Sequence, residues 1–220
     1  MKLWEKGTIG ALELDNRVVR SATNEHLTGR DGRVTAAYLE VYETLARSGV
    51  GLILTGHMTV DGRGRADETQ ICLDAPGAEE ELARLARVIH QAGGKAAVQI
   101  SHGGLKAPDA VNGRPGRGPS AVDGGEEMSP EEIAARPKQF ARGARLVREA
   151  GFDGVQVHCA HGYLLSQFLD PLYNTREDGY GRTAEGRFRL AGEVIQGIKE
   201  ACGADFPVFV KINATTAGDD

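Results

Sequence analysis

The feature that most constrains the fold is the alternation of short apolar runs with longer amphipathic segments. Five runs have the length and composition of buried strands, and helical patterns separate them. The predicted strands are residues 17–22, 51–55, 95–100, 155–158 and 207–212, and the predicted helices are residues 35–47, 79–91, 129–150 and 183–202. Strands that alternate with helices predict right-handed crossovers and a parallel sheet, so the fold class is α/β.

Turn signals agree with this reading. A hairpin is predicted before the first strand, from Thr8-Ile9 to Leu12–Leu14, with its turn at Gly10. The 220 residues include 30 glycines but only 8 prolines, which suits frequent strand–helix connections better than a low-complexity chain. Ser129 and Glu132 frame Pro130 at the start of one helix, which is the pattern of a capping box.

Composition narrows the class of protein. The net charge of −5 argues against nucleic acid as the main partner. No apolar run approaches the length of a membrane helix, and the N-terminus has no apolar core of a signal peptide. The three cysteines are far apart in sequence, which favours a reduced compartment over a disulfide framework. We therefore expect a cytoplasmic protein that binds neither membranes nor nucleic acids.

Polar side chains follow each of the five predicted strands. They are Ser21, Thr23 and Asn24; Thr55, Gly56 and His57; Gln99 and His102; His158, His161 and Tyr163; and Lys211 and Asn213. The carboxyl ends of parallel strands meet at one edge of a sheet, where ligands bind. The sequence therefore predicts one site built from all five strand ends.

The segment from His158 to Tyr163 is the most informative part of that edge. Two histidines three residues apart could donate hydrogen bonds to an oxygen that gains negative charge, and a phenol nearby could supply a proton. Two other readings remain on spacing alone: a metal site that uses His158 and His161 with Cys159, or ordinary structural histidines. Cys159 is expected to face the barrel wall, because side chains alternate along a strand.

Three other residues have a functional and a structural reading. Lys211 interrupts an apolar strand, so it is either a fixed charge beside an anionic group or one half of an ion pair. Gln99 either caps a loop or reads the edge of a flat heterocycle. Gly56 either allows a ligand to approach the backbone or makes a turn. The charge-rich segment 174–182 is either a solvated loop or a strap that closes over the site or fixes the next helix.

Several longer motifs resemble those of the Old Yellow Enzyme family of FMN-dependent NADH:flavin oxidoreductases and ene-reductases. The motifs are Asn16–Thr23, Gln99–Gly104, Gly151–Leu165, and the positions from Gln167 to Gly181. The resemblance runs from about residue 3 to residue 213, and its first motif is similar to the dienoyl-CoA-reductase-like branch. It implies an eight-stranded (β/α) TIM barrel, of which residues 1–220 would be a single domain, incomplete at the C-terminus, with about five parallel strands and the hairpin.

The resemblance also implies roles. Ser21, Ala22, Thr23, Gly56, Gln99 and Lys211 match positions that bind FMN, with Gln99 on the pyrimidine edge and Lys211 beside the N1–C2 oxygen region. His158 and His161 match the pair that holds a substrate carbonyl oxygen, and Tyr163 matches the proton donor. The implied reaction transfers hydride from NAD(P)H through FMN to an α,β-unsaturated carbonyl compound. It replaces the metal reading, so no metal is expected.

The chain also departs from the family pattern. Asn24 stands where relatives often carry threonine or cysteine near the flavin, a position that affects the redox potential, and Gly186 replaces an asparagine. The strands that supply the FMN phosphate site do not occur before Asp220. One alternative is therefore a non-catalytic or weakly flavin-binding remnant, and another is a doubly wound open sheet. We expect the isolated 220-residue chain to bind FMN poorly and to have low activity, or to self-associate, as a homo-oligomer, through unpaired strands.

Overall fold

The predicted parallel sheet is present in a computed structural model, which describes residues 2–215. Its strands lie in the spatial order β3 (Val19–Arg20), β4 (Leu52–Leu54), β6 (Ala96–Ser101), β9 (Gly154–Cys159) and β10 (Val208–Ile212), and all neighbours are parallel. The short strand β5 (Met58–Thr59) pairs with the end of β6. This order follows the chain without reversal, as in a barrel, whereas a doubly wound sheet reverses at a switch point. The partial-barrel prediction is confirmed and the doubly wound alternative is wrong.

Four long helices alternate with these strands. They are α1 (Ala36–Arg47), α2 (Ala78–Gln91), α4 (Pro130–Glu149) and α6 (Ala184–Cys202), and two short helices, α3 (Asp109–Asn112) and α5 (Leu164–Leu169), lie in the connections. The predicted capping box forms, because Ser129 Oγ accepts from the Glu132 N–H and the Glu132 carboxylate accepts from the Ser129 N–H. Thr35 and Thr183 cap α1 and α6 with their hydroxyl groups, which accept from the N–H groups of Tyr38 and Gly186. Local capping thus determines where these helices begin.

The predicted hairpin packs against the inner face of the sheet at the N-terminal end of the partial barrel. Strands β1 (Gly7–Ile9) and β2 (Leu12–Leu14) are antiparallel, and Gly10 makes the turn with a φ of +59°, a backbone conformation that favours glycine. Leu14 packs against Leu52, Leu54 and Ala97 on the inner face. The hairpin therefore closes the N-terminal end of the partial barrel with an apolar layer.

Alternation along the strands separates a packed outer face from a polar inner face. On β9, Val155, Val157 and Cys159 point outward into the main hydrophobic core that the helices cover. Gln156 and His158 therefore point inward. The predicted orientation of Cys159 is confirmed, and burial raises the pKa of its thiol to about 12.

The two outer strands of the sheet have open edges. Strand β3 is only two residues long, against the six predicted, and its Val19 is 43% exposed. On the outer face of β10, Val210 and Ile212 are 43% and 59% exposed. Among residues 2–215, no helix is long and apolar enough to cross a membrane.

The charge-rich segment 174–182 is a strap that is solvated only in part, since five of its nine residues are exposed and others are anchored in the protein. Asn174 and Arg176 are buried. Arg176 Nη1 donates to Pro119 O at 2.9 Å and to Met128 O at 3.1 Å, and its guanidinium also bonds Asp178. These contacts tie the strap to the long β6–α4 connection, which contains α3 and two short paired strands, β7 (Arg117–Gly118) and β8 (Glu126–Glu127).

Candidate functional site

An open pocket of about 150 Å³ lies at the carboxyl ends of the strands. It contains seven of the nine residues assigned a site role from sequence, and two more that were not assigned one. The lining residues are Ala22, Thr23, Asn24, His57, Gln99, His158, His161, Tyr163 and Lys211. The fold therefore brings residues from all five strand ends into one pocket.

His158 and Lys211 are neighbours across β9 and β10. They are paired in register, and both belong to the inner face. Nδ1 of His158 is buried and has no hydrogen-bond partner among the described residues. Burial, with the charges of neighbouring histidines and Lys211, lowers the pKa of His158 to about 3. The imidazole is therefore neutral at pH 7 and has one N–H to donate.

His161 stands on a strained turn just beyond β9. Its φ of +60° lies in the left-handed region, which is uncommon for a residue other than glycine. Asn213 Oδ1 accepts from its N–H at 3.1 Å, and Lys106 Nζ donates to its carbonyl at 2.8 Å. Burial and the charges of Lys211 and Lys106 lower the pKa of His161. The turn brings its ring to 5.3 Å from the ring of His158, so the two imidazoles can address one oxygen.

Tyr163 is placed by the start of α5. The next residue, Leu164, donates its N–H to His102 O at 3.0 Å, which fixes the helix to the end of β6. The phenol ring lies 4.9 Å from the His158 ring and 5.0 Å from the His57 ring. Burial and the charge of Asp67 raise the pKa of Tyr163, so the phenol is protonated at neutral pH and can donate a proton.

Gln99 lies on the inner face of β6 and is oriented by a neighbour. Its Nε2 donates to Gln156 Oε1 at 2.7 Å. This bond leaves the Gln99 carbonyl oxygen and its second N–H for a ligand. An amide held in this manner can recognise the donor–acceptor edge of a heterocycle.

Two residues assigned from sequence do not line the pocket. Ser21 is exposed directly after β3. Gly56 is buried, and a Cβ there would lie 2.7 Å from Thr23 O and 2.8 Å from the Glu25 carboxylate. Packing against the chain after β3 is thus sufficient to require glycine at position 56. The flavin-binding roles of both residues stay predictions.

Sequence reasoning did not assign roles to His57 and Asn24, which also line the pocket. Both belong to the polar strand-end set, and that position was the available signal. Asn24 Nδ2 donates to Asp67 at 2.9 Å, and His57 is held by two buried polar side chains. Burial lowers the pKa of His57 to about 4, so it is neutral.

The arrangement supports proton and hydrogen-bond chemistry at an oxygen. Neutral imidazoles and a protonated phenol converge on one volume, and Lys211 adds a cation at its side. Within residues 2–215, no group of three or more His, Cys, Asp or Glu side chains could hold a metal ion.

The comparisons with known proteins agree with this site. Residues 2–220 match the sequence profile of the NADH:flavin oxidoreductase / NADH oxidase family. The chain is 37% identical to a metal reductase of Desulforamulus reducens, over 99% of this chain and 33% of that protein. It is 35% identical to an NADPH dehydrogenase of Bacillus licheniformis, over 97% of this chain and 64% of that protein.

A solved structure shows the same architecture. The Old Yellow Enzyme homologue of Zymomonas mobilis superposes with a TM-score of 0.89 at 27% identity, over 96% of this chain and 63% of that one. The chain thus spans between one third and two thirds of the length of these relatives. The family uses a flavin and a nicotinamide electron donor, which agrees with the prediction of FMN and NAD(P)H. The match over nearly every residue shows that the chain belongs to the NADH:flavin oxidoreductase family of oxidoreductases, to which Old Yellow Enzyme belongs.

Proposed function

We propose that this chain carries the reactive side of an FMN-dependent reductase of activated alkenes, with NAD(P)H as the electron donor and small α,β-unsaturated carbonyl compounds as substrates. One observation carries the proposal: His158, His161 and Tyr163 meet Gln99 and Lys211 in a single pocket. Proton donors for a substrate and polar groups for a heterocycle therefore share one volume.

The residues present fit FMN. Gln99 offers an amide with a free carbonyl oxygen and a free N–H, which suits the pyrimidine edge. Lys211 offers a positive charge on the same inner face, and Ala22 and Thr23 line the pocket from β3. Ser21 and Gly56 would add contacts nearby. When bound, FMN supplies the hydride that reduces the alkene.

The histidines have the properties that substrate binding requires. The buried Nδ1 of His158 has no partner among the described residues, which is costly unless a ligand pairs with it. His158 and His161 are both neutral, so each can donate one hydrogen bond to the carbonyl oxygen without competing for a proton. Hydrogen bonds to that oxygen favour the charge that it gains when the β-carbon is reduced.

Tyr163 completes the reaction by giving its proton to the α-carbon. Its raised pKa keeps the phenol protonated between turnovers. The contact of its ring with His158 places the donor beside the carbonyl group that the histidines hold. The proton and the substrate oxygen are thereby positioned by one continuous segment of chain.

The proposal is tested with the 220-residue chain and excess FMN under anaerobic conditions. Excess FMN offsets the weak binding expected of this chain, so we expect NADPH-dependent conversion of 2-cyclohexenone to cyclohexanone, at a low rate. Tyr163→Phe should lower alkene reduction by roughly 10²- to 10⁴-fold, the usual contribution of a positioned acid, while flavin reduction by NADPH continues. Tyr180→Phe is the matched control, because the Tyr180 hydroxyl bonds Glu193 outside the pocket.

Two results would count against the proposal. Equal alkene reduction by wild type and Tyr163→Phe would remove Tyr163 from the reaction. Absence of flavin fluorescence quenching at any FMN concentration would favour the remnant alternative, in which the site has lost its cofactor.

A further inference from the structure

His57 lies in the pocket beside the residues assigned to the substrate. Its ring centroid is 5.0 Å from that of Tyr163 and 5.9 Å from that of His158. From His161 through His158 to His57 each ring neighbours the next, and this row of histidines runs from the end of β9 to the residue before β5. The Tyr163 ring contacts the rings of His158 and His57. His57 therefore lies beyond His158 and His161, the two histidines that would hold a carbonyl oxygen.

The surroundings of His57 determine which ring nitrogen carries its hydrogen. Gln70 is almost fully buried, and its Oε1 accepts from the Ala66 N–H at 2.7 Å. This bond turns its Nε2 toward His57, 3.0 Å from Nδ1. The same nitrogen lies 3.2 Å from His57 O and 3.2 Å from Ser101 Oγ, so His57 Nδ1 is the nearest of its three neighbours. Because an amide nitrogen only donates, this shortest contact favours Nδ1 as an acceptor and the hydrogen on Nε2. Nδ1 also faces Ser101 Oγ at 3.0 Å, deep in the protein.

His57 lines the pocket, and because Nδ1 faces Gln70 and Ser101, the opposite ring edge with Nε2 is the one left for a ligand. We propose that His57 is a specificity-determining hydrogen-bond donor for a second carbonyl oxygen of the substrate. The preferred substrates would then be small cyclic alkenes with two carbonyl groups on opposite sides of the double bond, such as ene-diones. This inference rests on the proposed function for its substrate, but the tautomer of His57 is independent of it.

The tautomer is tested first, by two-bond ¹H–¹⁵N correlation NMR of the chain labelled with [¹⁵N]histidine. We expect Nε2 protonated and Nδ1 unprotonated. Gln70→Glu replaces the donor with an acceptor of the same shape, so the hydrogen should move to Nδ1. Ser101→Ala is the matched control, since it removes the other neighbour of Nδ1 and leaves Gln70; Nε2 should remain protonated. A hydrogen on Nδ1 in the wild type would overturn the proposal.

Ligand binding is tested by the same resonances. Titration with 1,4-cyclohexanedione should shift the His57 Nε2–H resonance downfield, whereas cyclohexanone should shift it less. Equal shifts with both compounds would overturn the assignment of a second oxygen to His57. This measurement needs no turnover.

The kinetic test compares 2-cyclohexene-1,4-dione with 2-cyclohexenone. The two substrates differ by one carbonyl group, so the ratio of their kcat/KM values isolates its recognition. We expect His57→Leu to lower the dione preference by roughly five- to tenfold, the effect of one neutral hydrogen bond, and Gln70→Glu to lower it similarly. An unchanged ratio in both variants would refute the role. Failure of the wild type to reduce either alkene would refute the proposed function instead, while the NMR results would still decide the tautomer and the second oxygen.

Discussion

Replacing Arg136 by methionine should destabilise the fold by breaking a buried ion pair. The Arg136 and Asp61 side chains are 5% and 11% exposed, and Arg136 Nη1 lies 2.8 Å from Asp61 Oδ2. The pair joins α4 to the loop after β5, and Nη1 also lies 3.1 Å from His102 Nε2. His102 O accepts a hydrogen bond from the N–H of Leu164, the residue after Tyr163, so this cluster also supports the segment that carries Tyr163.

The magnitude follows from what the substitution leaves behind. Without Arg136, the Asp61 carboxylate keeps the Arg63 N–H at 2.8 Å and Gln139 Nε2 at 3.0 Å as donors, but it has lost its cation. Removal of one partner of a buried pair costs about 3–5 kcal/mol, because the other charge remains buried. Asp61→Asn in the Arg136→Met background removes that charge, so the double variant should regain about half of the loss or more.

The pH dependence gives a second check. Burial opposes ionisation of Asp61, but hydrogen bonds from the Arg63 N–H and the Arg136 guanidinium outweigh it, so its pKa in the folded protein is lowered. A carboxyl group with a lowered folded pKa stabilises the fold above its unfolded pKa, and this stabilisation is lost as the pH falls through the folded value. In Arg136→Met the pKa of Asp61 should rise, so the loss of stability below pH 4 from this group should shrink.

Urea unfolding of the wild type, the single variants Arg136→Met and Asp61→Asn, and the double variant, monitored by circular dichroism, measures these free energies. A loss of less than about 1 kcal/mol in Arg136→Met would refute the reasoning, because a neighbour or water would then satisfy the carboxylate. Additive losses in the double variant would also refute it, since they would show that the two side chains do not interact.

Two further predictions concern the buried contacts of Tyr42 and the exposed face of β10. Tyr42→Phe should lower the free energy of unfolding in urea by about 1–3 kcal/mol. The Gly56 N–H loses its acceptor at 2.8 Å, and Glu25 loses a donor at 3.1 Å. A change of only about a few tenths of a kcal/mol would contradict this. We expect the wild type to self-associate at micromolar concentration in sedimentation velocity, and the double variant Val210→Lys, Ile212→Lys to be monomeric. Both residues are exposed on β10, and charges on an exposed strand oppose pairing with another chain. A monomeric wild type would contradict this prediction.

The long elements could be predicted from sequence because their signals are local. The capping box at Ser129 and the glycine that ends α2 depend on residues within one turn, and the boundaries agree within two residues. Strand β3 is the exception. It was predicted over six residues and pairs over two, because it has a neighbour on one side only and Val19 faces solvent.

The candidate site could be predicted where strand alternation alone determines it. His158 and Lys211 follow from the inward phase of β9 and β10, and their register makes them neighbours. His57 could not be predicted in this way. Its orientation depends on Gln70 and Ser101, which are 13 and 44 residues away in the chain, and on a two-residue strand with no pattern of its own.

Burial decides the protonation of this pocket, and protonation decides what the pocket can bind. The imidazoles of His57 and His158 are buried enough to remain neutral, and the phenol of Tyr163 stays protonated for the same reason. Among the described residues that line the pocket, Lys211 is the one with a formal charge at neutral pH. The row of histidines therefore presents neutral donors to a substrate oxygen, while the cation lies at the end of the neighbouring strand β10, where a group that becomes negative on reduction would be stabilised. The neutral histidines and the charged Lys211 occupy different strands, so each kind of group has its own place in the pocket. A substitution that puts a charge at one of these histidines should therefore weaken both the binding of the substrate oxygen and the stabilisation of the group that becomes negative.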